Sequence, residues 1–182
     1  MFYIGIDIGS TAAKVAVFNA TTLTNYFVMP TGWSSVETAN IIMKKLNSLG
    51  INKENSKIVA TGYGRVSVTY ADKTITEITC HGKGAVYLYR SDCTVIDIGG
   101  QDTKVITVEN NKVTDFIMND KCSAGTGRFL EIMSNTLNMD IDSLCDLAAQ
   151  GSGITISSMC TVFAESEVIS LIGRGEKKED IA

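Results

Sequence analysis

The feature that most constrains the fold is an internal repeat. Residues 4–18 align with residues 94–108 without a gap. The identical pairs are Ile6/Ile96, Asp7/Asp97, Ile8/Ile98, Gly9/Gly99, Lys14/Lys104 and Val15/Val105. Chance rarely places both "IDIG" and a distant lysine in one register, so the chain is predicted to contain two related lobes that face one another, each opening with the same strand and hairpin.

Strand-like and helix-like patterns follow each copy of the repeat. Alternating apolar residues predict a β-meander at 2–9, 13–19 and 23–29, another at 93–99, 103–110 and 112–119, and a buried strand at 57–62. Helical spacing predicts helices at 34–50, where Ser34 or Ser35 caps the start, and at 81–89, about 126–138, 141–149 and 160–173; residues 65–80 stay unassigned. The predicted fold class is α/β, with lobes at 1–91 and 92–182.

Composition excludes several classes of partner. The net charge is −4 and no basic stripe is present, which argues against nucleic acid and against an anionic membrane surface. No apolar run approaches a membrane span, and Met1 leads directly into a strand-like segment rather than a signal peptide. The five cysteines are odd in number and form no CxxC pair, so we expect a cytoplasmic protein without a disulfide scaffold.

The two copies of the repeat end in similar glycine-containing turns, "DIGSTAAK" and "DIGGQDTK". Each places an aspartate at a strand end, then a glycine, then small or polar residues. Glycine lets a backbone approach a phosphate closely, and the turn N–H groups can donate to its oxygens. The aspartate is suited to Mg²⁺, which prefers carboxylate and phosphate oxygens and keeps much of its water. The alternative is a pair of glycine-rich hairpins with solvated acids; the repeat favours a phosphate site.

This arrangement resembles the acetate and sugar kinase, heat-shock protein and actin superfamily. The resemblance implies a two-lobed actin-like ATPase (ribonuclease H-like) fold that binds ATP or ADP with Mg²⁺ between its lobes. The positions that match its first phosphate motif are Asp7, Gly9, Ser10, Thr11 and Lys14, and those that match its second are Asp97, Gly99, Gly100, Gln101 and Asp102. Gln101 and Asp102 are the candidates for orienting the attacking water or the metal. The superfamily's late adenosine motif is absent, so we expect a fragment that lacks the C-terminal part.

Two cysteines stand before helix-like segments. Cys122 begins "CSAGTGRFLE" and Cys160 ends "SSMC", ahead of "TVFAESE". From the residues alone, buried structural cysteines are the simpler interpretation, and bound metal or catalysis the alternative. Cys93, at the start of a strand predicted to be buried, and Cys145, at core spacing, are expected to be structural.

The longer motifs resemble one branch of that superfamily, the activators of 2-hydroxyacyl-CoA dehydratases, which are related to the ATPase subunits of benzoyl-CoA reductases. These motifs are "GIDIGSTAAK", "TGYGR", "ITCHGKGA", "DIGGQDTK", "MNDKCSAGTGRFLE" and "SSMCTVFAESEVIS". The resemblance implies that Cys122 and Cys160 bind a [4Fe–4S] cluster. A cubane cluster usually takes four thiolates, so a two-fold homodimer with one shared cluster would supply them. Gly125, Thr126 and Gly127, which follow Cys122, are expected to lie close to the nucleotide.

The leading functional hypothesis is therefore an ATP-hydrolysing electron-transfer protein. The resemblance implies that reduced ferredoxin or flavodoxin supplies the electron and that the dehydratase receives it. The first alternative is a small-molecule kinase of the amino-sugar type, which would have no use for Cys122 or Cys160; bound iron distinguishes the two. The second is a nucleotide-sensing module that binds ATP without turnover, which a phosphate-release assay would distinguish.

Overall fold

The structure is a computed structural model that describes residues 1–182, and it contains two compact units. The first comprises Met1–Val95 and Ile106–Phe116, and the second comprises Ile96–Val105 and Ile117–Ala182. The strands are β1 (Phe2–Ile8), β2 (Ala12–Asn19), β3 (Thr22–Pro30), β4 (Ser56–Thr61), β5 (Lys73–Thr74), β6 (Cys93–Ile98), β7 (Thr103–Glu109) and β8 (Lys112–Asn119). The helices are α1 (Ser35–Ser48), α2 (Glu77–Tyr89), α3 (Gly127–Thr136), α4 (Ile141–Ala148), α5 (Thr161–Gly173) and α6 (Lys178–Ile181).

The first unit is built on a five-stranded sheet in the order β3-β2-β1-β4-β5. β1 pairs antiparallel with β2 and parallel with β4, so the strand that ends in the first repeat lies at the centre. Alternate residues of these strands form one buried face, which packs with the apolar stripe of α1. Ile6, Ile8 and Ile42 are fully buried there. This core fixes the position of the β1–β2 hairpin.

The second unit has its own core, formed by helices. Met133 and Leu137 of α3, Leu144 of α4 and Ala164 and Val168 of α5 are buried together, and further contacts come from α6. α3 and α4 are separated by Asn138, whose positive φ of 52° ends the first helix, and Asp140, which caps the second. This core holds the starts of α3 and α5 in defined positions.

The predicted elements are largely confirmed, and the fold class is as expected. Ser34 rather than Ser35 caps α1, because its Oγ accepts a hydrogen bond from the Glu37 N–H at 3.3 Å. Within the unassigned residues 65–80 lie the end of a short 3-10 helix, Tyr63–Ser67, then β5 and the first turn of α2. The lobe division after residue 91 stays a prediction. None of the helices combines the length and apolar character that crossing a bilayer requires.

Candidate functional site

The β1–β2 hairpin is closed tightly around Gly9. Its N–H donates to the Ala12 carbonyl at 3.1 Å, and the Thr31 hydroxyl donates to the Gly9 carbonyl at 2.8 Å. A Cβ at this glycine would lie 2.9 Å from the Ala12 oxygen, so a larger residue would open the hairpin. The turn presents Ser10 and Thr11 at its tip. The first predicted phosphate motif therefore has the closed glycine turn that its chemistry needs.

The two carboxylate oxygens of Asp7 lie in different surroundings. Oδ2 lies 3.1 Å from Nζ of Lys14, its cross-strand neighbour. Oδ1 is buried and has no hydrogen-bond partner. Gly62, at φ 84°, packs so closely that a Cβ there would lie 2.2 Å from Oδ1. A buried carboxylate oxygen without a protein partner fits a hydrated Mg²⁺, whose bound water would donate to it.

The β6–β7 hairpin repeats this closure. The Gly99 N–H donates to the Asp102 carbonyl at 2.8 Å, the bond that Gly9 makes to Ala12 in the first copy. A Cβ at Gly99 would lie 2.6 Å from Asp102 Oδ1. The tip carries Gly100 and the exposed Gln101. Both predicted phosphate motifs therefore have the same backbone geometry.

Lys104 distinguishes the second hairpin from the first. Its Nζ lies 2.8 Å from Asp102 Oδ1 and 3.3 Å from Asp97 Oδ2, and only 2% of its side chain is exposed, against 50% for the equivalent Lys14. The ammonium group therefore holds Asp102, itself buried, in one orientation. Sequence reasoning did not include Lys104 among the site residues, although its equivalence to Lys14 in the repeat was the available signal.

The start of α3 is bonded directly to the second hairpin. The Gly127 N–H donates to the Gly99 carbonyl at 2.8 Å, and the Arg128 N–H donates to the Gly100 carbonyl at 3.0 Å. The Thr103 hydroxyl donates to the Gly125 carbonyl at 2.5 Å. Thr126 is fully buried between these bonds. The predicted segment Gly125–Gly127 is thus hydrogen-bonded to the β6–β7 hairpin.

The segments that carry Cys122 and Cys160 are adjacent. The residues that follow them are hydrogen-bonded, since Ser123 Oγ donates to Thr161 Oγ1 at 2.9 Å. Both cysteines are exposed and neither forms a disulfide. Cys160 is the N-cap residue of α5, so its thiol lies by the partial positive charge of that helix end. Two free thiols on neighbouring segments are a donor set that fits half of a four-thiolate cluster site.

Side-chain hydrogen bonds fix both cysteine segments. The Asn119 carboxamide donates to the carbonyls of Cys122 and Ala124 at 2.9 and 3.1 Å and accepts from the Cys122 N–H at 3.2 Å. Glu167 accepts from the N–H and hydroxyl of Ser157, three residues before Cys160. Sequence reasoning missed Asn119; its place at the end of β8 was the only signal. Two of the other cysteines, Cys80 and Cys93, differ from this pair because they are half-buried.

Cys145 corrects a sequence expectation. It was assigned to the core by its spacing, but its side chain is exposed. The neighbouring Leu144 is the buried residue of α4. Successive helical residues point about 100° apart, so burial of one leaves the other at the surface.

Three relatives match this chain along its whole length. The solved structure of component A of (R)-2-hydroxyglutaryl-CoA dehydratase from Acidaminococcus fermentans is 44% identical in sequence and has a TM-score of 0.91. The present chain covers 71% of that structure's chain. The structure of the activator of 2-hydroxyisocaproyl-CoA dehydratase from Clostridium difficile with bound ADPNP is 39% identical, with a TM-score of 0.90 and 69% of that chain covered. The activator of lactoyl-CoA dehydratase from Anaerotignum propionicum is 42% identical, with 71% of its length covered.

A protein-family model also matches almost every residue of the chain. The model described as the BadF/BadG/BcrA/BcrD ATPase family matches residues 4–182. Its match includes the β1–β2 and β6–β7 hairpins and both exposed cysteine segments. This chain belongs to the BadF/BadG/BcrA/BcrD ATPase family.

Proposed function

We propose that this chain is an ATP-dependent activator that delivers a low-potential electron from a [4Fe–4S] cluster to a 2-hydroxyacyl-CoA dehydratase. Relatives that are 41–44% identical carry the names of such activators. The observation that carries the proposal is the Ser123–Thr161 bond, which brings two exposed cysteines onto adjacent segments of a unit that also contains a phosphate hairpin.

ATP or ADP binds with Mg²⁺ through the two hairpins. ADPNP is bound in a relative's structure, which supports the nucleotide. The unpartnered Oδ1 of Asp7 supports the cation. The proposed ligand residues are Asp7, Gly9, Ser10, Thr11, Lys14, Asp97, Gly99, Gly100, Gly125, Thr126 and Gly127. Among these, Gly127 contributes through its bond to Gly99, because its N–H is already used there.

Positioning and charge neutralisation provide most of the catalysis in phosphoryl transfer. Gln101, exposed at the hairpin tip, orients the attacking water through its carboxamide. Asp102 orients the water or the metal, while Lys104 holds its carboxylate at 2.8 Å. Because that ion pair is buried, the orientation of Asp102 is set before the substrate binds.

Cys122 and Cys160 hold the cluster, and a second copy of the chain supplies the other two thiolates. When bound, the cluster supplies the one-electron chemistry. The N–H groups at the start of α5 stabilise an anionic thiolate at Cys160. Reduced ferredoxin or flavodoxin is the proposed electron donor, and the cytoplasm, where thiols stay reduced, is the proposed location.

A small-molecule kinase of the amino-sugar type is not favoured. Three relatives that are 41–44% identical to this chain carry the names of dehydratase activators. A kinase would also have no role for the two exposed cysteines that Ser123 and Thr161 bring together.

Anaerobic reconstitution with iron and sulfide tests the proposal. We expect about one [4Fe–4S] cluster per two chains, and loss of that iron in Cys122→Ser and in Cys160→Ser, because each removes two of the four thiolates. Cys145→Ser is the matched control, since its thiol is equally exposed. Cys93→Ser should also keep its iron.

Two results would overturn the assignment. Equal iron loss from all four variants would show that Cys122 and Cys160 are not the specific ligands of the cluster. The reconstituted protein could also contain stoichiometric iron and yet fail to stimulate a 2-hydroxyacyl-CoA dehydratase in the presence of ATP and reduced ferredoxin. That result would support the cluster assignment and contradict the proposed partner.

A further inference from the structure

Thr61, the last residue of β4, has a buried hydroxyl without a hydrogen-bond partner. The residue is 9% exposed, and its Oγ1 has no hydrogen-bond partner. Asp7 stands beside it, because β1 and β4 are parallel and their register pairs Asp7 with Thr61. Both side chains lie on the sheet face opposite the core that contains Ile6 and Ala60. The two polar groups without partners are thus neighbours.

Such a pair is unusual, because buried polar atoms are nearly always hydrogen-bonded. An unmade bond destabilises the folded state, so two of them side by side indicate a third group that bonds to both. Gly62 closes one side, since its chain path leaves no room for a Cβ beside Asp7 Oδ1. On another side lies a cavity of about 320 Å³ with a mostly apolar lining, whose polar members include Asp7, Lys14 and Thr61. The broad χ2 torsion of aspartate lets the carboxylate turn towards it.

The chemistry of the two atoms identifies that third group. A water molecule bound to Mg²⁺ directs its lone pair at the metal and donates both hydrogens, so it requires two acceptors. Asp7 Oδ1 is one acceptor, and Thr61 Oγ1 is the other. Lys14 bonds only the other carboxylate oxygen of Asp7, at 3.1 Å, and leaves both atoms without a partner.

We propose that Thr61 is a further positioning residue of the metal–nucleotide site, whose hydroxyl accepts a hydrogen bond from a Mg²⁺-bound water that also donates to Asp7. The assignment rests on the proposed nucleotide function. It extends the metal site from the first phosphate hairpin to a neighbouring strand that no phosphate motif includes. Threonine at this place fixes the water shell without adding a second negative charge.

The test uses the full 182-residue chain with ADP and Mn²⁺, which replaces Mg²⁺ and is counted by its paramagnetic resonance. Thr61→Val keeps the side-chain shape and removes the hydroxyl. We expect it to weaken Mn²⁺ binding to the ADP complex about tenfold, the effect of losing one hydrogen bond to a charged group. Thr61→Ser keeps the hydroxyl and should stay within about twofold of the unmodified chain. ADP binding in EDTA should be unchanged in both.

Thr24→Val is the matched control. It also removes a strand threonine hydroxyl from the first unit, but that hydroxyl donates to the Val17 carbonyl and lies away from Asp7. Its Mn²⁺ affinity should be unchanged. If Thr61→Val does not fold by circular dichroism, Thr61→Ala applies the same test with a smaller side chain.

Each outcome decides between the hypotheses. Unchanged Mn²⁺ affinity in Thr61→Val, or equal weakening in Thr61→Ser, overturns the role of the hydroxyl while leaving the nucleotide function intact. Equal loss of ADP affinity with and without metal also overturns it, because the hydroxyl would then serve the nucleotide or the fold. Failure of the unmodified chain to bind Mn²⁺ with ADP, while it still binds ADP in EDTA, overturns this role and the metal site but leaves the nucleotide site in place.

Discussion

At the scale of single residues, the two copies of the repeat have placed equivalent lysines in different environments. Lys14 is half exposed and faces one carboxylate, whereas Lys104 is buried and faces two. An exposed ion pair contributes little, because water screens it. Removing the cation from a buried cluster leaves carboxylates without compensation, which costs far more. Equivalent positions in a repeat therefore do not predict equal contributions to the free energy of unfolding.

The two lysines provide the first prediction. Lys104→Met should lower the free energy of unfolding by roughly 3–5 kcal/mol, because Asp97 and Asp102 lose their shared cation. Lys14→Met should lower it by about 1 kcal/mol or less. Urea unfolding of both variants measures the difference. Similar values for the two substitutions would contradict the burial-based argument.

At the scale of elements, the entrances to α3 and α5 are joined through side chains rather than through strands. Ser123 and Thr161 link the two segments, and Asn119 ties the Cys122 segment to the end of β8. Each of these bonds lies within one to three residues of a cysteine. Small displacements there would change how well two thiolates meet one cluster, so these bonds should affect metal retention more than stability.

The second prediction concerns that link. Ser123→Ala and Thr161→Val should each speed the loss of iron from the reconstituted protein several-fold, because the cysteine segments are no longer held together. The double variant should be no worse than either single variant, since both remove the same bond. Iron release to a chelator under anaerobic conditions measures the rate. Strictly additive effects would show that the hydroxyls act separately.

The third prediction concerns the start of α4. Asp140 caps this helix, and hydrogen bonds from the N–H and hydroxyl of Ser143 lower the pKa of its carboxyl below its ordinary value. A lowered folded-state pKa contributes stability that is complete above the unfolded-state value and is lost as the pH falls through the folded-state value. Asp140→Asn keeps a capping acceptor without the charge.

The variant should therefore differ from the parent chain above about pH 4, the ordinary carboxyl range, and converge with it as the pH falls below that range. Thermal unfolding across this range measures the effect. Asp140→Ala, which removes the cap altogether, should be less stable than Asp140→Asn throughout. A constant difference between parent and Asp140→Asn from pH 6 to pH 2 would exclude the charged cap as the cause.

At the scale of the whole molecule, the second phosphate hairpin and the cysteine segment are connected through α3. The Gly127 N–H binds the Gly99 carbonyl at the hairpin, and the same helix follows directly from the Cys122 segment. A nucleotide that favours one position of the hairpin would therefore also move this segment. That coupling is the step which an ATP-driven electron transfer requires.

Gly127→Pro is the fourth prediction, because it removes this connection selectively. Proline is compatible with the first helical position, but it lacks the N–H that binds Gly99. We expect ATP hydrolysis to be partly retained, within about tenfold, and electron delivery to the dehydratase to be lost. Gly127→Ala is the control, since it keeps the N–H while adding a Cβ at a tight 3.1 Å from the Gly99 oxygen, a contact that the proline variant would also make.

The cluster potential should also differ between ADP and a non-hydrolysable ATP analogue in the parent chain and become equal in Gly127→Pro. Equal potentials and equal partner affinities in both nucleotide states of the parent chain would end the coupling hypothesis.

Much of the fold and half of the candidate site could be predicted from the sequence. The repeat placed both hairpins correctly, because glycine and strand periodicity are local properties. The burial of Lys104 could not be predicted, since it depends on the fold around it. Cys145 was misassigned because spacing identifies a helix face only to within a residue or so.

The sequence by itself determined most of the element order and the two closed glycine hairpins, and it placed Cys122 and Cys160 ahead of helices. These features depend on short-range geometry: backbone closure at Gly9 and Gly99, and helix starts after Cys122 and Cys160. Only the tertiary structure decided which distant groups meet. Asp7 stands beside Thr61 through strand pairing, and Ser123 reaches Thr161 through helix packing. Such contacts join residues tens of positions apart, and the packing of a whole core, rather than any local pattern, determines them.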